Sequence, residues 1–181
     1  MTPAHLTLAA VAALAAAGAA KRGGLNRRGC TIWQLDTEDY DSEYPGDRDV
    51  TDVMEDVDRL FKTAGVRPSS AEEHYLACMG DDGVVLGGAV YGYYGQGFEG
   101  VRFTFSVVVD PKARRRGIAG GLVSELEDVA RMLEDAYEQP VKMVAWVVNP
   151  NMAKLLDRMG FESTAYNGEW SPEDPYYEKE L

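Results

Sequence analysis

A strand, a basic glycine-bearing turn and a helix follow one another between Phe103 and Met132, and this succession constrains the fold more than any other feature of the chain. Residues 103–110 are mostly β-branched or aromatic and run into a proline, which is typical of a strand that a proline stops. A turn rich in arginine and glycine follows over residues 112–121. Apolar positions then recur at helical spacing and predict a helix with one buried face. These positions are Leu122, Leu126, Val129 and Leu133.

The turn has the chemistry of an anion-binding site. The first N–H groups of a helix lack internal partners, and the helix dipole adds positive partial charge there. Gly117, Gly120 and Gly121 lack a Cβ atom, so phosphate oxygens can approach the backbone closely. The arginines at 114–116 would add charge-assisted hydrogen bonds. An arginine run alone would fit an ordinary surface turn, but the strand before it and the helix after it favour a phosphate site.

Two other phosphate-binding motifs do not apply. No G-x-x-x-x-G-K-[ST] sequence occurs, which excludes a P-loop. A G-x-G-x-x-G sequence does occur over residues 95–100, but a strand follows it where the dinucleotide-binding motif needs a helix. We interpret this stretch as a hairpin loop.

The segment VVVDPKARRRGIAGGL resembles the acetyl-CoA-binding motif of the GCN5-related N-acetyltransferase family, whose pattern is [QR]-x-x-G-x-[GA] after a strand. Arg114, Gly117 and Ala119 occupy the three defined positions. A second apolar strand over residues 141–148 and the sequence NPNMAKLLDRMGFE, which begins at Asn149, resemble the family's next elements in order and spacing.

This resemblance implies an α/β fold: a mixed, mostly antiparallel sheet with helices on both faces. It also implies acetyl-CoA as the co-substrate, with its pyrophosphate on the turn and its pantetheine arm along the preceding strand. No metal is implied. The implied cofactor-binding residues are Val107, Val108, Val109, Arg114, Arg115, Arg116, Gly117, Ile118, Ala119, Gly120 and Asn149.

In this family an acceptor amine attacks the thioester directly, without a covalent enzyme intermediate. The sequence departs from the family in two places. Many members carry a glutamate base on the strand before the turn, but residues 102–109 contain no acid. Many members also carry a tyrosine general acid where this chain has Leu156. Tyr166 or a strand tyrosine could substitute, and the catalytic acid and base stay unassigned.

The remaining pattern predicts how the other elements are arranged. We expect the helix over residues 117–137 on one face of the sheet and a helix over 50–64 on the other. The strands over 103–110 and 141–149 should lie parallel, with a right-handed connection. Gly87 and Gly88 indicate a bulge or the close approach of a neighbour. Further strands are predicted over residues 31–35, 73–79 and 84–94, and a last hairpin over 161–166 and 176–180.

The charge distribution bears on partners. The chain has a net charge of −12, while residues 1–30 hold four basic and no acidic side chains, so the rest holds 14 basic and 30 acidic ones, a net of −16. Such a domain would be repelled by nucleic acid, whereas a cationic amine would be attracted. Eleven of the acids lie within residues 36–58. They could form an acidic rim for the acceptor, or simply a solvated helix face and loop.

We divide the chain into an alanine-rich segment over residues 1–29 and an N-acetyltransferase domain over 30–181. The segment has an uncharged run, Leu6–Ala20, followed by basic residues. It could form a soluble or interface-lying helix, a marginal membrane anchor that keeps the domain in the cytoplasm, or a secretion signal. The only two cysteines, Cys30 and Cys78, are expected to be small buried or half-buried side chains that form neither a disulfide framework nor a zinc site, so a cytoplasmic, reducing compartment is predicted.

Three functions fit these observations. The first is an N-acetyltransferase for a small cationic amine or a protein amine. The second is a catalytically silent protein of the same fold that binds coenzyme A, which the missing glutamate and tyrosine favour. The third is a relative that modifies nucleic-acid bases, which the negative charge of the domain opposes. The sequence does not indicate the oligomeric state.

Overall fold

The structure, a computed structural model, describes residues 29–35, 44–68, 72–95, 100–147, 149–164 and 176–181. The segment predicted over residues 1–29 therefore lies outside the described residues except for Gly29. The acidic stretch at 36–43, most of the loop at 95–100, and Tyr166 lie outside them too. Within the described part, no helix is both long enough and apolar enough to cross a membrane.

Seven strands and three α-helices form the described part of the fold. In chain order they are β1 Thr31–Leu35, α1 Val50–Ala64, β2 His74–Met79, β3 Val85–Tyr94, β4 Val101–Val109, α2 Ile118–Tyr137, β5 Val141–Trp146, α3 Pro150–Arg158, β6 Glu162–Thr164 and β7 Tyr176–Glu180. A short 3₁₀ helix, Pro111–Ala113, lies between β4 and α2. Each predicted element is present within a few residues of its predicted bounds.

The strands form one mixed sheet in the order β1-β2-β3-β4-β5-β7-β6. Every neighbouring pair is antiparallel except β4 and β5, which are parallel as expected. β4 pairs with β3 along nearly its whole length, from Arg102 to Val109. Its pairing with β5 covers only Val101 to Thr104. Beyond Thr104 the two strands diverge, and this divergence opens the sheet in its middle.

The helices cover both faces of the sheet, as predicted. On one face, α1 buries Val53, Val57 and Phe61 against β2, β3 and β4. On the other face, α2 buries its apolar side, which includes Leu122 and Leu126. The alternation of side chains along a strand explains how one sheet serves two helices.

Two adjacent glycines of β3 allow this close packing. A Cβ atom on Gly88 would lie 2.6 Å from Cγ1 of Val57 in α1. A Cβ atom on Gly87 would lie 3.0 Å from Cγ2 of Ile118 in α2. The predicted close approach therefore occurs on both faces, and the register between β2 and β3 also shifts, at Cys78 and Met79.

The two cysteines form a disulfide bond, so the prediction that they stay unpaired is wrong. Both are buried as expected, but Cys30 directly precedes β1 and Cys78 lies in β2, which pairs with β1. Their Cα atoms are 5.6 Å apart although 48 residues separate them in sequence. Strand pairing creates this proximity, which cysteine spacing alone does not reveal. The disulfide removes the argument from cysteine usage for a reducing compartment.

Candidate active site

The turn between β4 and α2 is built by local interactions. Asp110 accepts a hydrogen bond from the Lys112 backbone N–H at 2.7 Å, and Pro111 begins the 3₁₀ helix. The chain then reverses through Arg115 at φ 65° and Gly117 at φ 77°. Glycine adopts this left-handed conformation without strain, whereas arginine does so at a cost of about 1–2 kcal/mol. The turn therefore holds one strained residue directly before α2.

The N-terminus of α2 differs from those of the other two described helices. Asp49 caps α1 through a hydrogen bond to the Thr51 N–H, and Asn149 caps α3 through one to the Asn151 N–H. Gly117 provides no side-chain cap, and the first turn of α2 contains no acidic residue. The first N–H groups of a helix lack intrahelical partners, and the positive end of the dipole lies beside them. The start of α2 therefore suits an external anion.

The divergence of β4 from β5 produces a cleft with a volume of about 920 Å³. Its walls come from β4, the turn, the start of α2, and α3. Ten of the eleven residues that sequence analysis assigned to the cofactor line it. They are Val107, Val108, Val109, Arg114, Arg115, Gly117, Ile118, Ala119, Gly120 and Asn149. Arg116 is exposed and does not line the cleft, so its cofactor contact stays a prediction.

The cleft reaches both faces of the sheet. Val107 and Val109 pack toward α2, whereas Val108 packs with the cluster beneath α1. Ala64 and Val66, at the end of α1, line the same cleft. Gly65 ends α1 in a left-handed conformation, which turns the chain toward the divergence. Sequence analysis missed this pair because only the docking of α1 on the sheet brings it there.

The second wall, α3, contributes five residues that were not predicted from the sequence: Pro150, Asn151, Met152, Leu155 and Arg158. Leu155 and Arg158 line the cleft together with Asn149 and Asn151. Asn151, Leu155 and Arg158 are four and three residues apart, so helical periodicity could have placed them on one side of α3. Leu156, at the position where the resemblance leads us to expect a tyrosine, is fully buried in the core.

The strand tyrosines do not line the cleft. Tyr91 is fully buried, stacks on Phe103, and accepts a hydrogen bond from Gln34 Nε2 at 3.1 Å. Burial, and then the nearby Tyr137, raise the pKa of the Tyr93 hydroxyl. These contacts are those of packing residues, and a raised pKa makes a tyrosine hydroxyl a weaker acid.

Among the described residues, the charged side chains that line the cleft are all positive. They are Arg114, Arg115 and Arg158, and no described acidic residue lines the cleft, although the chain has a net charge of −12. In the part of the chain that the structure describes, none of these three arginines has an ion-pair partner. A cleft with this charge, at a helix N-terminus that has no side-chain cap, is suited to a ligand with several negative groups.

The acids of α1 do not reach this cleft. Asp56 pairs with Arg48 and Arg59, and Asp58 accepts a hydrogen bond from the Tyr75 hydroxyl at 3.1 Å. The described acids therefore fit a solvated helix face, and the other acids of the proposed rim lie at residues 36–43, outside the described part. Among the described residues, no group of three or more His, Cys, Asp or Glu side chains could hold a metal ion.

Solved structures share this fold. Arabidopsis thaliana Naa50 in complex with the bisubstrate analogue CoA-Ac-MVNAL is 14% identical, with a TM-score of 0.57 over 83% of this chain and 98% of that one. The protein of a KacTA–DNA complex is 14% identical, with a TM-score of 0.54 over 83% and 92%. A mutant AtaT toxin, bound to acetyl-CoA and the C-terminus of the antitoxin AtaR, is 12% identical, with a TM-score of 0.53 over 84% and 93%. At these identities the likeness shows the fold.

No curated protein sequence matched this chain. The model of the acetyltransferase (GNAT) family matches residues 31–161, which is well over half of the chain. The matched range contains β4, the turn, α2 and α3, and therefore every wall of the cleft. The chain belongs to the acetyltransferase (GNAT) family.

Proposed function

We propose that this protein is an acetyl-CoA-dependent N-acetyltransferase, in which an acceptor amine attacks the thioester directly. One observation carries the proposal: the open edge of β4 and the start of α2, which has no side-chain cap, meet in a single cleft. The acceptor would be a small cationic amine or an amine of a protein. Family membership supports an acyltransferase in general, and the amine acceptor is our inference.

The residues of the cleft fit acetyl-CoA. The pyrophosphate needs hydrogen-bond donors and positive charge. The start of α2 offers the donors, and Arg114 and Arg115, the two arginines that line the cleft just before this helix, offer the charge. The pantetheine arm carries amide groups, and the apolar wall at Val107 and Val109 suits its carbon chain. When bound, acetyl-CoA supplies an activated acetyl thioester.

The β4 backbone would position this arm. An edge without a neighbouring strand presents peptide N–H and C=O groups that can bind an extended ligand as if it were a further strand. Beyond Thr104, β4 has no pairing with β5, while its other edge is held by β3. The strand is thus rigid on one side and open on the other, which suits a group that must be held in one orientation for attack.

The acceptor would reach the thioester from the α1 face. Val108, Ala64 and Val66 line the cleft on that face, opposite the packing of Val107 and Val109. Residues 102–109 offer no carboxylate base, so we propose that ordered water takes the amine proton. A thiol has a pKa of about 8.5 and leaves adequately as a thiolate, so Leu156 does not preclude the reaction. Positioning would provide most of the rate acceleration.

Calorimetric titration of the full chain with acetyl-CoA, followed by a free-thiol assay, tests the proposal. Pooled polyamines, aminoglycosides and peptides would serve as acceptors. The assay has a low background because Cys30 and Cys78 are bonded to each other. Binding followed by thiol release would support the enzyme and give the acceptor class. Binding without release from any pool would favour the silent coenzyme A-binding protein, and the absence of binding would contradict the proposal.

A further inference from the structure

Arg158 is separated from the other two arginines of the cleft by its position in the fold. Arg114 and Arg115 belong to the turn before α2, whereas Arg158 ends α3 on the second wall. Its side chain is exposed and lines the cleft together with Leu155 and Asn151. The cleft thus has positive charge on both walls, and no negative side chain among the described residues lines either wall.

Contacts at the end of α3 do not explain why an arginine occupies position 158. Basic residues near a helix C-terminus often hydrogen-bond the last carbonyl groups. In α3 backbone groups bind these carbonyls instead: the Phe161 N–H donates to the Leu156 carbonyl at 3.0 Å, and the Gly160 N–H donates to the Asp157 carbonyl at 3.2 Å. Lys179 donates to the carbonyl of Met159, just beyond the helix, at 2.8 Å. Arg158 has no ion-pair partner in the described part of the chain either.

The charge of coenzyme A would explain the arginine at position 158. This ligand carries a pyrophosphate and, separately, a 3′-phosphate monoester on its ribose. On the α2 wall, the helix N-terminus and two arginines already suit the pyrophosphate. The 3′-phosphate needs its own cation, because a phosphate monoester carries nearly two negative charges at neutral pH. The only cation that lines the second wall in the described part of the chain is Arg158.

We propose that Arg158 binds the 3′-phosphate of coenzyme A and makes the protein select acetyl-CoA over its dephosphorylated form. This inference rests on the proposed function, since it concerns the same cleft. The planar guanidinium can donate two parallel hydrogen bonds to a phosphate, which a lysine cannot do. Arg158 is thus a specificity residue, whereas the start of α2 provides the general affinity for the pyrophosphate.

Calorimetric titration of the full chain with coenzyme A and with dephospho-coenzyme A tests this inference. The two ligands differ only in the 3′-phosphate. For the wild type, we expect coenzyme A to bind about tenfold more tightly than dephospho-coenzyme A. Charge-assisted hydrogen bonds to the 3′-phosphate favour coenzyme A, and the difference stays near tenfold because solvent weakens such bonds at an exposed side chain. Arg158→Ala should remove the preference by weakening only coenzyme A, and Arg158→Lys should keep part of it.

Two control variants make the test specific. Lys154→Ala removes an exposed cation from the same helix, one turn earlier, that does not line the cleft, and it should leave both affinities unchanged. Arg114→Ala, on the pyrophosphate wall, should weaken both ligands by the same factor. Raising the salt concentration should reduce the preference of the wild type for coenzyme A.

The outcomes separate this inference from the proposed function. If the wild type binds neither ligand, the proposed function fails. If the wild type binds both ligands and Arg158→Ala weakens both equally, or neither, the assignment of the 3′-phosphate to Arg158 is overturned while the proposed function stands. Loss of the preference in Arg158→Ala, with unchanged binding in Lys154→Ala, supports the inference.

Discussion

The two edges of β4 show how one strand serves both the fold and the site. Along one edge, β4 pairs with β3 from Arg102 to Val109, over eight residue pairs. Along the other edge it pairs with β5 over four residue pairs, which end at Thr104. The strand is therefore fixed by β3, and the rest of its other edge is left for a ligand. Full pairing on both edges would close the cleft.

The helix N-termini repeat this contrast. Asp49 and Asn149 satisfy N–H groups of α1 and α3 within the chain, whereas Gly117 gives α2 no side-chain cap. A side-chain cap contributes about 1 kcal/mol to the stability of a helix. The N-terminus of α2 lacks this contribution, and an anion can bind there instead. Changes in the framework, which comprises β1 to β3 and α1 as far as Phe61, should therefore lower stability without altering affinity. Changes in the cleft should lower affinity with little effect on stability.

The largest effect should come from breaking the framework at its disulfide. Reduction of Cys30–Cys78 releases a loop of 48 residues, and the chain-entropy relation then gives a loss of about 4 kcal/mol of unfolding free energy. Urea denaturation of the oxidised and the reduced protein measures this loss. A Cys30→Ala/Cys78→Ala variant should not respond to the reductant, and acetyl-CoA affinity below the unfolding transition should stay unchanged. A reduced protein as stable as the oxidised one would contradict the prediction.

In the cleft, Gly117→Glu should weaken acetyl-CoA binding more than about 100-fold, because it places a negative charge beside the pyrophosphate site. Gly117→Asn is the matched control, since asparagine tolerates the left-handed conformation at φ 77° and adds no charge. Calorimetry with both variants separates charge from conformation. Binding of acetyl-CoA to Gly117→Glu at wild-type strength would show that the phosphates do not lie at this turn.

Gly88→Ala tests the packing of α1 on the framework. Its new Cβ atom would lie 2.6 Å from Val57 Cγ1 and 3.1 Å from the Leu76 carbonyl oxygen. We expect a loss of about 2 kcal/mol from overpacking. Val57→Ala in the same chain should recover part of this loss, which a double-mutant cycle of urea denaturation measures. Additive losses in the double variant would argue against the steric cause.

Arg115→Gly should separate stability from binding at a single position. Glycine relieves the strain at φ 65° but increases the entropy of the unfolded chain, so we expect a net gain of about 0.5–1 kcal/mol in stability. Loss of the guanidinium should weaken acetyl-CoA binding several-fold. Thermal melting and calorimetry on the same sample measure both. Lys112→Gly, which removes an exposed cation of the same turn that does not line the cleft, is the control, and similar behaviour of the two variants would contradict the assignment.

The smallest effect concerns pH and the framework residue Tyr75. Burial, and then the Asp58 carboxylate that accepts its hydrogen bond, raise the pKa of Tyr75 to about 12. The pKa of Tyr75 in the folded protein lies above its usual value of about 10. The protonated hydroxyl therefore stabilises the fold fully below pH 10, and this contribution to the unfolding free energy is lost as the pH rises toward 12. We expect less than about 1 kcal/mol, since solvent screens this exposed pair. Urea denaturation at several pH values should show that the unfolding free energy of the wild type falls between pH 10 and 12, and that Tyr75→Phe lacks this part of the fall.

Much of the fold follows from local patterns. Runs of β-branched, aromatic and apolar residues identified the strands, helical spacing identified the helices, and a proline or a glycine marked several of their ends. The turn at 112–121 also supplied six of the ten cleft residues that were predicted, and the family resemblance supplied the other four, on β4 and at Asn149. The disulfide, the end of α1 and Arg158 escaped prediction. Each depends on which elements become neighbours, and no pattern within a single element records that.

The sequence by itself determined the succession of strand, turn and helix, the positive charge of the turn and the family of the chain. These features are local, because each depends on residues a few positions apart along the backbone. Only the tertiary structure decided where β4 and β5 diverge, which face each helix covers, and that positive charge lies on both walls of the cleft. These features arise from contacts between distant segments, since packing and strand register select them only when the whole sheet has formed.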